Sequence, residues 1–419
     1  MLTNQSASPQ GPTINPGPDV TAVDESSNEV LASGKAADPL AIKSIPATGR
    51  RYGDSFIKVS NFLLKLKFFF FLVFRGAKLD RPYYVHYQII RRCNFRCGSC
   101  VTWRDETFGK GLSLDQMRLA AANLRKVGLK SIALTGGEPL LRKDIIQIIE
   151  VFRKAGFIIR LQTNGFLLSE GLLEQIFRAG VADLFISFDS LESDTFERIN
   201  GLSRPDAFHR VKKSIETAAA ISKRFGANIF LTAIVRKDNA AEVAALHDFA
   251  KELNVLIGIF GLEIPFEDTP KTIRANDPSL RETGEGRARL KETFENLIEL
   301  KKSPGNRLSV SARLLGDFLE FYADANRGMR WQCRAGKLYM AMSPDGSVSV
   351  CNGTSPIPGY DYRNLVELYQ SPDREELFDK FRLPCGGCIC MRQLEYVAED
   401  KKDLFDKAGL FLKSMLGIS

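Results

Sequence analysis

Six short apolar runs alternate with amphipathic helical segments between residues 83 and 262, and this alternation constrains the fold more than any other feature of the sequence. Parallel strands need a crossover between them, and the usual crossover is a right-handed helical connection. The alternation therefore predicts repeated βαβ units and an α/β fold with a parallel sheet. The predicted strands are 83–90, 131–134, 158–162, 184–188, 228–235 and 256–262, and the predicted helices between them are 115–127, 143–155, 169–178, 206–224 and 240–253.

Three cysteines, Cys93, Cys97 and Cys100, lie in the loop that leaves the first predicted strand. Thiolates this close together can all reach one soft metal centre. A structural zinc site uses four ligands, usually as two separated pairs, whereas three ligands leave one coordination position for another molecule. The spacing therefore favours a metal centre with an open position, and zinc binding or chance clustering are the alternatives.

Glycine-rich or polar stretches follow the next three predicted strands. In barrels of parallel strands the active site lies at the carboxyl ends of the strands, where the connecting loops gather. Glycines let the backbone approach a ligand closely, and a carboxylate accepts hydrogen bonds from an ammonium group. A plain turn at Asn164-Gly165 and a helix cap at Asp189 are the alternatives. The stretches are Thr135-Gly136-Gly137-Glu138-Pro139, Gln162-Thr163-Asn164-Gly165 and Ser187-Phe188-Asp189-Ser190.

The cysteine spacing, together with Gly136-Gly137-Glu138-Pro139 after the next strand, resembles the signature of the radical S-adenosylmethionine (SAM) enzymes. The resemblance implies a partial (β/α)6 TIM-like barrel in which the three cysteines bind three irons of a 4Fe–4S cluster and SAM chelates the fourth. It further implies reductive cleavage of SAM to a 5′-deoxyadenosyl radical, which abstracts hydrogen from a substrate. A flavodoxin- or ferredoxin-type protein would donate the electron. Ser99 departs from the family, which usually has an aromatic residue there, near the adenine.

The same resemblance assigns SAM contacts to the strand ends. Gly136, Gly137 and Glu138 correspond to the motif that holds the methionine amino group. The positions that correspond to contacts with the ribose hydroxyls and the methionine carboxylate are Thr163, Asn164, Ser187 and Asp189. No catalytic acid, base or radical-quenching residue is predicted.

Histidines are predicted to be structural. His86 lies on the first strand and could point into the barrel near a substrate, although such a histidine is more often a satisfied core residue. His209 and His247 fall on predicted helices.

A second group of cysteines comprises Cys333, Cys351, Cys385, Cys388 and Cys390. An Asp345-Gly346 turn predicts a β-hairpin between the first two of them. The layout resembles the SPASM or shorter twitch domain that holds auxiliary clusters in many radical SAM enzymes, and a zinc ribbon is the alternative. One 4Fe–4S cluster takes four thiolates. The resemblance favours Cys333, Cys351 and Cys388 as ligands, with Cys385 or Cys390 as the fourth.

Most of the net charge of +8 lies between residues 51 and 92, which hold nine Lys or Arg against two Asp. This stretch is also rich in Phe and Leu, which favours an anionic membrane surface over nucleic acid as a partner. Its apolar run is shorter than the roughly 20 residues that span a bilayer, so a helix lying in the membrane interface is expected over 56–74. The alternative is that the helix packs on this protein's own barrel or on a twin subunit.

The sequence thus predicts a radical SAM barrel at 82–265 and a cluster domain at 331–392. The other predicted segments are a disordered tail at 1–50, a basic amphipathic segment at 51–81, a helical connection at 266–330 and an amphipathic helix at 393–419. Clustered cysteines indicate a reducing cytoplasmic location, with a peripheral contact to the inner face of the membrane. The first predicted substrate class is membrane-associated, lipid or polyprenyl-linked. The alternatives are a maturase of ribosomally made peptides and a non-catalytic iron–sulfur or zinc protein.

Overall fold

A computed structural model of the chain describes residues 53–75, 79–104, 111–202, 206–262, 282–323, 333–383, 388–389, 393–394 and 396–397. The predicted tail at 1–50 lies outside the described residues. So do Cys385, Cys390 and nearly all of the predicted helix at 393–419.

Strands and helices alternate through most of the described chain. The strands are β1 (Tyr84–Ile90), β2 (Ser131–Gly136), β3 (Ile158–Thr163), β4 (Val181–Ser187), β5 (Asn228–Val235), β6 (Leu256–Gly261), β7 (Tyr339–Met342) and β8 (Val348–Ser349). The helices are α1 (Asp54–Arg75), α2 (Leu114–Val127), α3 (Ile145–Lys154), α4 (Glu170–Ala179), α5 (Ser193–Asn200), α6 (Ala207–Ser222), α7 (Val243–Glu252), α8 (Gly284–Lys302), α9 (Ala312–Ala323), α10 (Leu365–Gln370) and α11 (Arg374–Arg382).

The strands form one sheet in the order β6-β5-β4-β3-β2-β1-β7-β8, and the first six are parallel to their neighbours. This confirms the predicted α/β fold, and the unclosed sheet agrees with a partial barrel. All six predicted strands are present. β4 begins three residues before its predicted start. The charged Asp183 interrupts the apolar pattern from which the strand was predicted, but in the structure it is buried in ion pairs with Lys65 and Arg160.

Helices cover the sheet through apolar stripes of the expected period. In α3 the buried side chains are Ile145, Ile148, Ile149 and Phe152, which share one helix face. Ser113 precedes α2 and forms a capping box with it, in which the Ser113 hydroxyl accepts a hydrogen bond from Gln116 N and the Gln116 side chain accepts one from Ser113 N.

The predicted hairpin joins the barrel sheet. β7 and β8 are antiparallel around the Asp345-Gly346 turn, and β7 pairs in parallel with β1. The backbone of Gly346 has a φ of +87°, a conformation that favours glycine. The C-terminal cysteine region is therefore tied directly to the strand that leads into the Cys93 loop.

Helix α1 lies across the amino ends of the strands. Asn61 donates a hydrogen bond to Phe225 O before β5, and Lys65 forms an ion pair of 3.1 Å with Asp183 at the start of β4. The Phe68 ring lies 5.8 Å from that of Tyr83, directly before β1. The helix thus packs on the protein's own barrel, at the end opposite the cysteine loop. Among the described helices, none combines the length and the apolar character needed to cross a bilayer.

Candidate active site at the carboxyl ends of the strands

The cysteine loop follows β1 and is held by its own backbone and by aromatic packing. Phe95 is buried, with its ring 6.0 Å from that of Phe166 and 6.4 Å from that of Phe196. Cys100 N donates to Cys97 O at 3.1 Å, and the Trp103 indole donates to the same oxygen at 3.1 Å. The thiols of Cys93, Cys97 and Cys100 are each partly exposed. The fold therefore presents all three from one anchored loop.

Gly136 and Gly137 allow β2 to end directly against this loop. Gly137 N donates to Ile90 O at 2.7 Å, and Glu138 N donates to Arg92 O at 2.9 Å. A Cβ atom on Gly137 would lie 2.0 Å from Arg92 O, and one on Gly136 would lie 2.0 Å from Ile90 O. Only glycine fits at such distances. The predicted motif and the cysteine loop are thus one hydrogen-bonded unit.

Glu138 is fully buried at the centre of this unit, with 0% of its surface exposed. Its Oε1 accepts hydrogen bonds from Leu140 N and from the Thr163 hydroxyl at 3.0 and 2.8 Å, and its Oε2 accepts one from Asn164 N at 2.8 Å. Burial raises the pKa of the carboxyl to about 7, and these hydrogen bonds act in the opposite direction. The side chain therefore links the ends of β2 and β3.

Asn164 connects the end of β3 to the cysteine loop. Its Nδ2 donates to Asn94 Oδ1 at 2.8 Å and lies 3.9 Å from the Cys93 sulfur. The Asn94 Nδ2 is buried and has no hydrogen-bond partner within the described structure. Sequence analysis did not select Asn94, although its place directly after Cys93 was a usable signal. A buried amide donor beside a thiol is suited to an acceptor that binds there.

Ser187 and Asp189 lie at the end of β4. Ser187 is exposed, as a binding residue at a strand end would be. Asp189 is buried, and its carboxylate accepts a hydrogen bond from Ile234 N of β5 at 2.7 Å. This bond to β5 differs from the helix cap that the sequence left as an alternative. Burial is the main cause of the raised pKa of the Cys97 thiol, and the nearby Cys100 and Asp189 add to it.

The end of α5 also contacts the cysteine loop, which sequence analysis missed. Asn200 Oδ1 accepts a hydrogen bond from the Cys97 thiol at 3.2 Å, and Arg96 N donates to Asn200 O at 3.1 Å. A Cβ atom on Gly201 would lie 2.3 Å from Arg96 O. α5 itself was not predicted, so this contact had no signal in the sequence pattern.

The residues suit the predicted cluster in their donor chemistry. Burial raises the pKa of Cys93 to about 11 and that of Cys97 well above its usual range, so binding of iron must release their protons. Among the described residues, no three His, Cys, Asp or Glu side chains are grouped as for one bound metal ion. A 4Fe–4S cluster does not require such a group, because each cysteine binds a different iron.

His86 lies on β1 and contacts Gln162 of β3 and Asn352, which follows the C-terminal hairpin. Its Nε2 lies 3.2 Å from Gln162 Oε1, and its Nδ1 lies 2.7 Å from Asn352 Nδ2. Burial lowers the pKa of His86 to about 4, so the ring is neutral at pH 7. An amide donor at Nδ1 places the ring proton on Nε2, where it meets Gln162. Both ring nitrogens are thus satisfied.

Cys333 and Cys351 lie on either side of the hairpin formed by β7 and β8. The Cys333 sulfur is 3.3 Å from the Tyr339 hydroxyl, and the Cys351 sulfur accepts a hydrogen bond from Gly353 N at 3.3 Å. Gly336 N donates to Val350 O at 3.2 Å, which brings the segment after Cys333 against the residue before Cys351. Cys388 is partly exposed. The predicted ligand set of the second cluster stays a prediction.

Comparison with known proteins agrees with this architecture. Residues 87–250 match the model of the radical SAM superfamily. The chain is 33% identical over 164 residues to a probable GTP 3′,8-cyclase of Saccharolobus solfataricus. The aligned residues make up 39% of this chain and 51% of the relative. It is also 29% identical over 181 residues to an AdoMet-dependent heme synthase of Methanosarcina barkeri. Here the aligned residues make up 43% of this chain and 50% of the relative. The chain thus spans about half the length of these curated relatives.

A solved structure has a similar fold over a longer part of the chain. Streptococcus suis SuiB bound to its precursor peptide SuiA matches with a TM-score of 0.54 and 16% identity, over 75% of this chain and 71% of that one. The match extends beyond residues 87–250 and therefore covers more than the barrel.

Proposed function

Residues 87–250 are a radical SAM domain, and from this premise we propose that the chain cleaves SAM reductively at a 4Fe–4S cluster held by Cys93, Cys97 and Cys100. When both are bound in such a domain, the cluster would supply the electron, and SAM would supply the radical with which hydrogen is abstracted from a substrate. The observation that carries the proposal is the backbone unit that joins the three-thiol loop to Gly136-Gly137-Glu138 at the carboxyl ends of β1 and β2.

The chain's own residues would bind and orient SAM around that unit. We assign contacts with the methionine amino group to Gly136 and Gly137, with Glu138 holding the ends of β2 and β3 in place through its three hydrogen bonds. Asn164 and the exposed Ser187 have side chains suited to hydroxyl and carboxylate groups. Thr163 and Asp189, which are buried, would shape the same site from beneath.

We further propose one auxiliary 4Fe–4S cluster in the C-terminal region, held by Cys333, Cys351, Cys388 and either Cys385 or Cys390. The hydrogen bond between Gly336 and Val350 supports it, because it ties the segments that carry Cys333 and Cys351 to each other. Such a cluster would lie in a SPASM- or twitch-like domain. It could anchor the substrate or exchange an electron with a reaction intermediate, while a flavodoxin- or ferredoxin-type donor reduces the first cluster.

Two substrate classes fit the proposal. The first is a membrane-associated lipid or polyprenyl-linked molecule, which the apolar and basic α1 supports. The second is a ribosomally made peptide, which is supported by the similarity to SuiB, a protein crystallised with its precursor peptide. Because α1 lies at the amino ends of the strands and the cysteine loop at the carboxyl ends, a lipid-linked substrate would have to extend past the barrel. A peptide meets no such requirement.

A Glu138→Ala variant tests the SAM site. Loss of the carboxylate removes the acceptor of three hydrogen bonds at the ends of β2 and β3, so SAM affinity should fall by at least 10-fold, about 1.4 kcal/mol. Iron content should stay at the wild-type value, because Glu138 is not a predicted ligand. Equilibrium dialysis with SAM and iron analysis measure both. Unchanged SAM affinity would show that the assignment of this motif is wrong.

A labelled-substrate experiment separates the two classes. With deuterium-labelled peptides or lipid extracts in turn, deuterium transferred to 5′-deoxyadenosine identifies the class from which hydrogen is taken. Transfer from peptide alone would remove the lipid proposal, and transfer from lipid alone would remove the peptide proposal.

A further inference from the structure

Helix α1 carries apolar side chains on the side that faces the protein and also on the side that faces solvent. The inward stripe consists of Ile57, Asn61, Lys65, Phe68 and Leu72, of which Asn61 is fully buried. The outward stripe is almost entirely apolar. Its members Phe56, Val59, Leu63, Phe70 and Phe74 are between 47 and 76% exposed. A surface helix in water normally turns a polar face to solvent, so the apolar outer face is the unusual feature of α1.

The inward polar side chains are held by specific contacts and fix the rotation of the helix. Lys65 Nζ donates to Ala182 O at 2.9 Å and lies 3.1 Å from the Asp183 carboxylate. Asn61 Nδ2 donates to Phe225 O at 3.0 Å, and Ser60 Oγ accepts a hydrogen bond from Arg153 at 2.8 Å. Turning the helix to bury the outward stripe would break these contacts. The exposed apolar stripe is therefore a fixed feature of the fold.

Basic residues lie at the same end of the barrel as α1. The helices that cover the sheet end at its amino edge, beside α1, and their last turns are basic. The residues are Arg125 and Lys126 of α2, Arg153 and Lys154 of α3, Arg178 of α4, and Lys223 and Arg224 directly after α6. Arg178 and Arg224 form ion pairs with Asp54 of α1, and Lys154 forms one with Glu150, so the unbalanced positive charge comes from the other four. Favourable contact with helix dipoles explains basic side chains at helix ends, but it does not explain an apolar stripe between them. Apolar side chains framed by Lys and Arg match a surface of anionic lipid headgroups above acyl chains.

We propose that the outward face of α1 and the basic helix ends around it form a docking surface for an anionic membrane. The occupant is a lipid surface, which the helix enters in the plane of the interface. Because β1 runs for seven residues away from this face, roughly 20 Å separate the membrane from the cysteine loop. The docked barrel would thus present its carboxyl ends away from the bilayer. The surface does not depend on the radical chemistry and can be tested apart from it.

Vesicle flotation of the full chain tests the proposal. The wild type should float with vesicles of phosphatidylcholine and phosphatidylglycerol, less with phosphatidylcholine alone, and less at high salt. A triple variant with Phe56→Ser, Phe70→Ser and Phe74→Ser should lose binding on the order of 100-fold, since each ring contributes apolar burial. A control with Leu119→Ser and Leu383→Ser, which are 47 and 79% exposed elsewhere, should float as the wild type does.

Three outcomes would overturn the proposal. One is a wild type that stays with the soluble fraction on anionic vesicles. Another is a triple variant that still floats, which would place membrane binding elsewhere in the chain. The third is a wild-type dimer without vesicles that becomes monomeric in the triple variant, because α1 would then contact a second copy. Unchanged circular dichroism and melting temperature of the variant would show that it is folded, as expected for side chains that face solvent.

Discussion

At the residue scale, the site depends on two backbone contacts so close that only glycine fits at positions 136 and 137. Gly136 and Gly137 bring β2 within hydrogen-bond distance of the backbone that leads to Cys93, and Glu138 then joins β2 to β3. These three residues act on the cysteine loop through backbone geometry. Their role in the described structure is therefore to position the thiols and the strand ends relative to one another.

Gly137→Ala should displace the cysteine loop. Its new methyl group would lie 2.0 Å from Arg92 O, a backbone atom that cannot move alone. We expect the melting temperature to fall, with a cost of about 2–3 kcal/mol, and the reconstituted iron content to drop. The matched control is Gly171→Ala in α4, where nothing lies within 4 Å of the new methyl group. It should be neutral or slightly stabilising. Equal effects of the two variants would contradict the close approach.

The raised pKa of Glu138 predicts a pH dependence of stability. The folded protein holds this proton up to about pH 7, whereas the unfolded chain releases it near the ordinary glutamate pKa of 4.5. Stability therefore falls as the pH rises through this window, by about 3 kcal/mol for this group. Glu138→Gln removes the titration. The difference in the free energy of unfolding between variant and wild type, from urea titrations of the iron-free protein, should change with pH accordingly. A constant difference would be evidence against the raised pKa.

At the element scale, a helix was expected from the sequence over 56–74 and is present as α1, but the sequence did not reveal which of its sides faces the protein. Helical period identifies two faces, whereas the choice between them depends on Asp183, Phe225 and Ala182, which are more than 100 residues away. The strands and most barrel helices were predictable because their apolar periods reflect local burial. α5 was missed because it is only eight residues long and buries only two large apolar side chains, Phe196 and Ile199.

Lys65→Met should destabilise the protein through loss of the α1 ion pair. Asp183 would stay buried with Arg160 and Asn228 as its remaining partners, so we expect a cost of about 2–3 kcal/mol in the free energy of unfolding. Lys67→Met, on the exposed side of the same helix, should change stability by no more than about 0.5 kcal/mol. Urea unfolding followed by circular dichroism measures both. Equal effects would mean that α1 is not packed by this face.

At the scale of the whole molecule, one sheet connects the Cys93 loop with the segments that carry Cys333 and Cys351. β1 pairs with β2 on one side and with β7 on the other, so the Cys93 loop and the hairpin between Cys333 and Cys351 share a single framework. The hairpin itself was predictable from Asp345-Gly346. Its parallel pairing with β1 was not, because contacts between strands some 250 residues apart leave no local pattern. The sequence therefore predicted best those parts of the fold and the site that short-range motifs encode.

The His86 hydrogen bonds should couple the hairpin region to the barrel. Asn352→Ala leaves the buried Nδ1 of His86 without its donor, at a cost of about 1–2 kcal/mol. A double-mutant cycle with His86→Ala should give a coupling energy of about 1 kcal/mol. Nitrogen NMR should also show the His86 proton on Nε2 in the wild type. Additive effects, or a proton on Nδ1, would contradict this connection.

The most direct test of the radical SAM assignment is the iron and product analysis of protein purified without oxygen and reconstituted. With dithionite and SAM, the wild type should hold about eight irons per chain and form 5′-deoxyadenosine. Replacing Cys93, Cys97 and Cys100 together by alanine should leave about four irons and no product. A wild type with neither iron nor product, or a triple variant that still forms 5′-deoxyadenosine, would contradict the account.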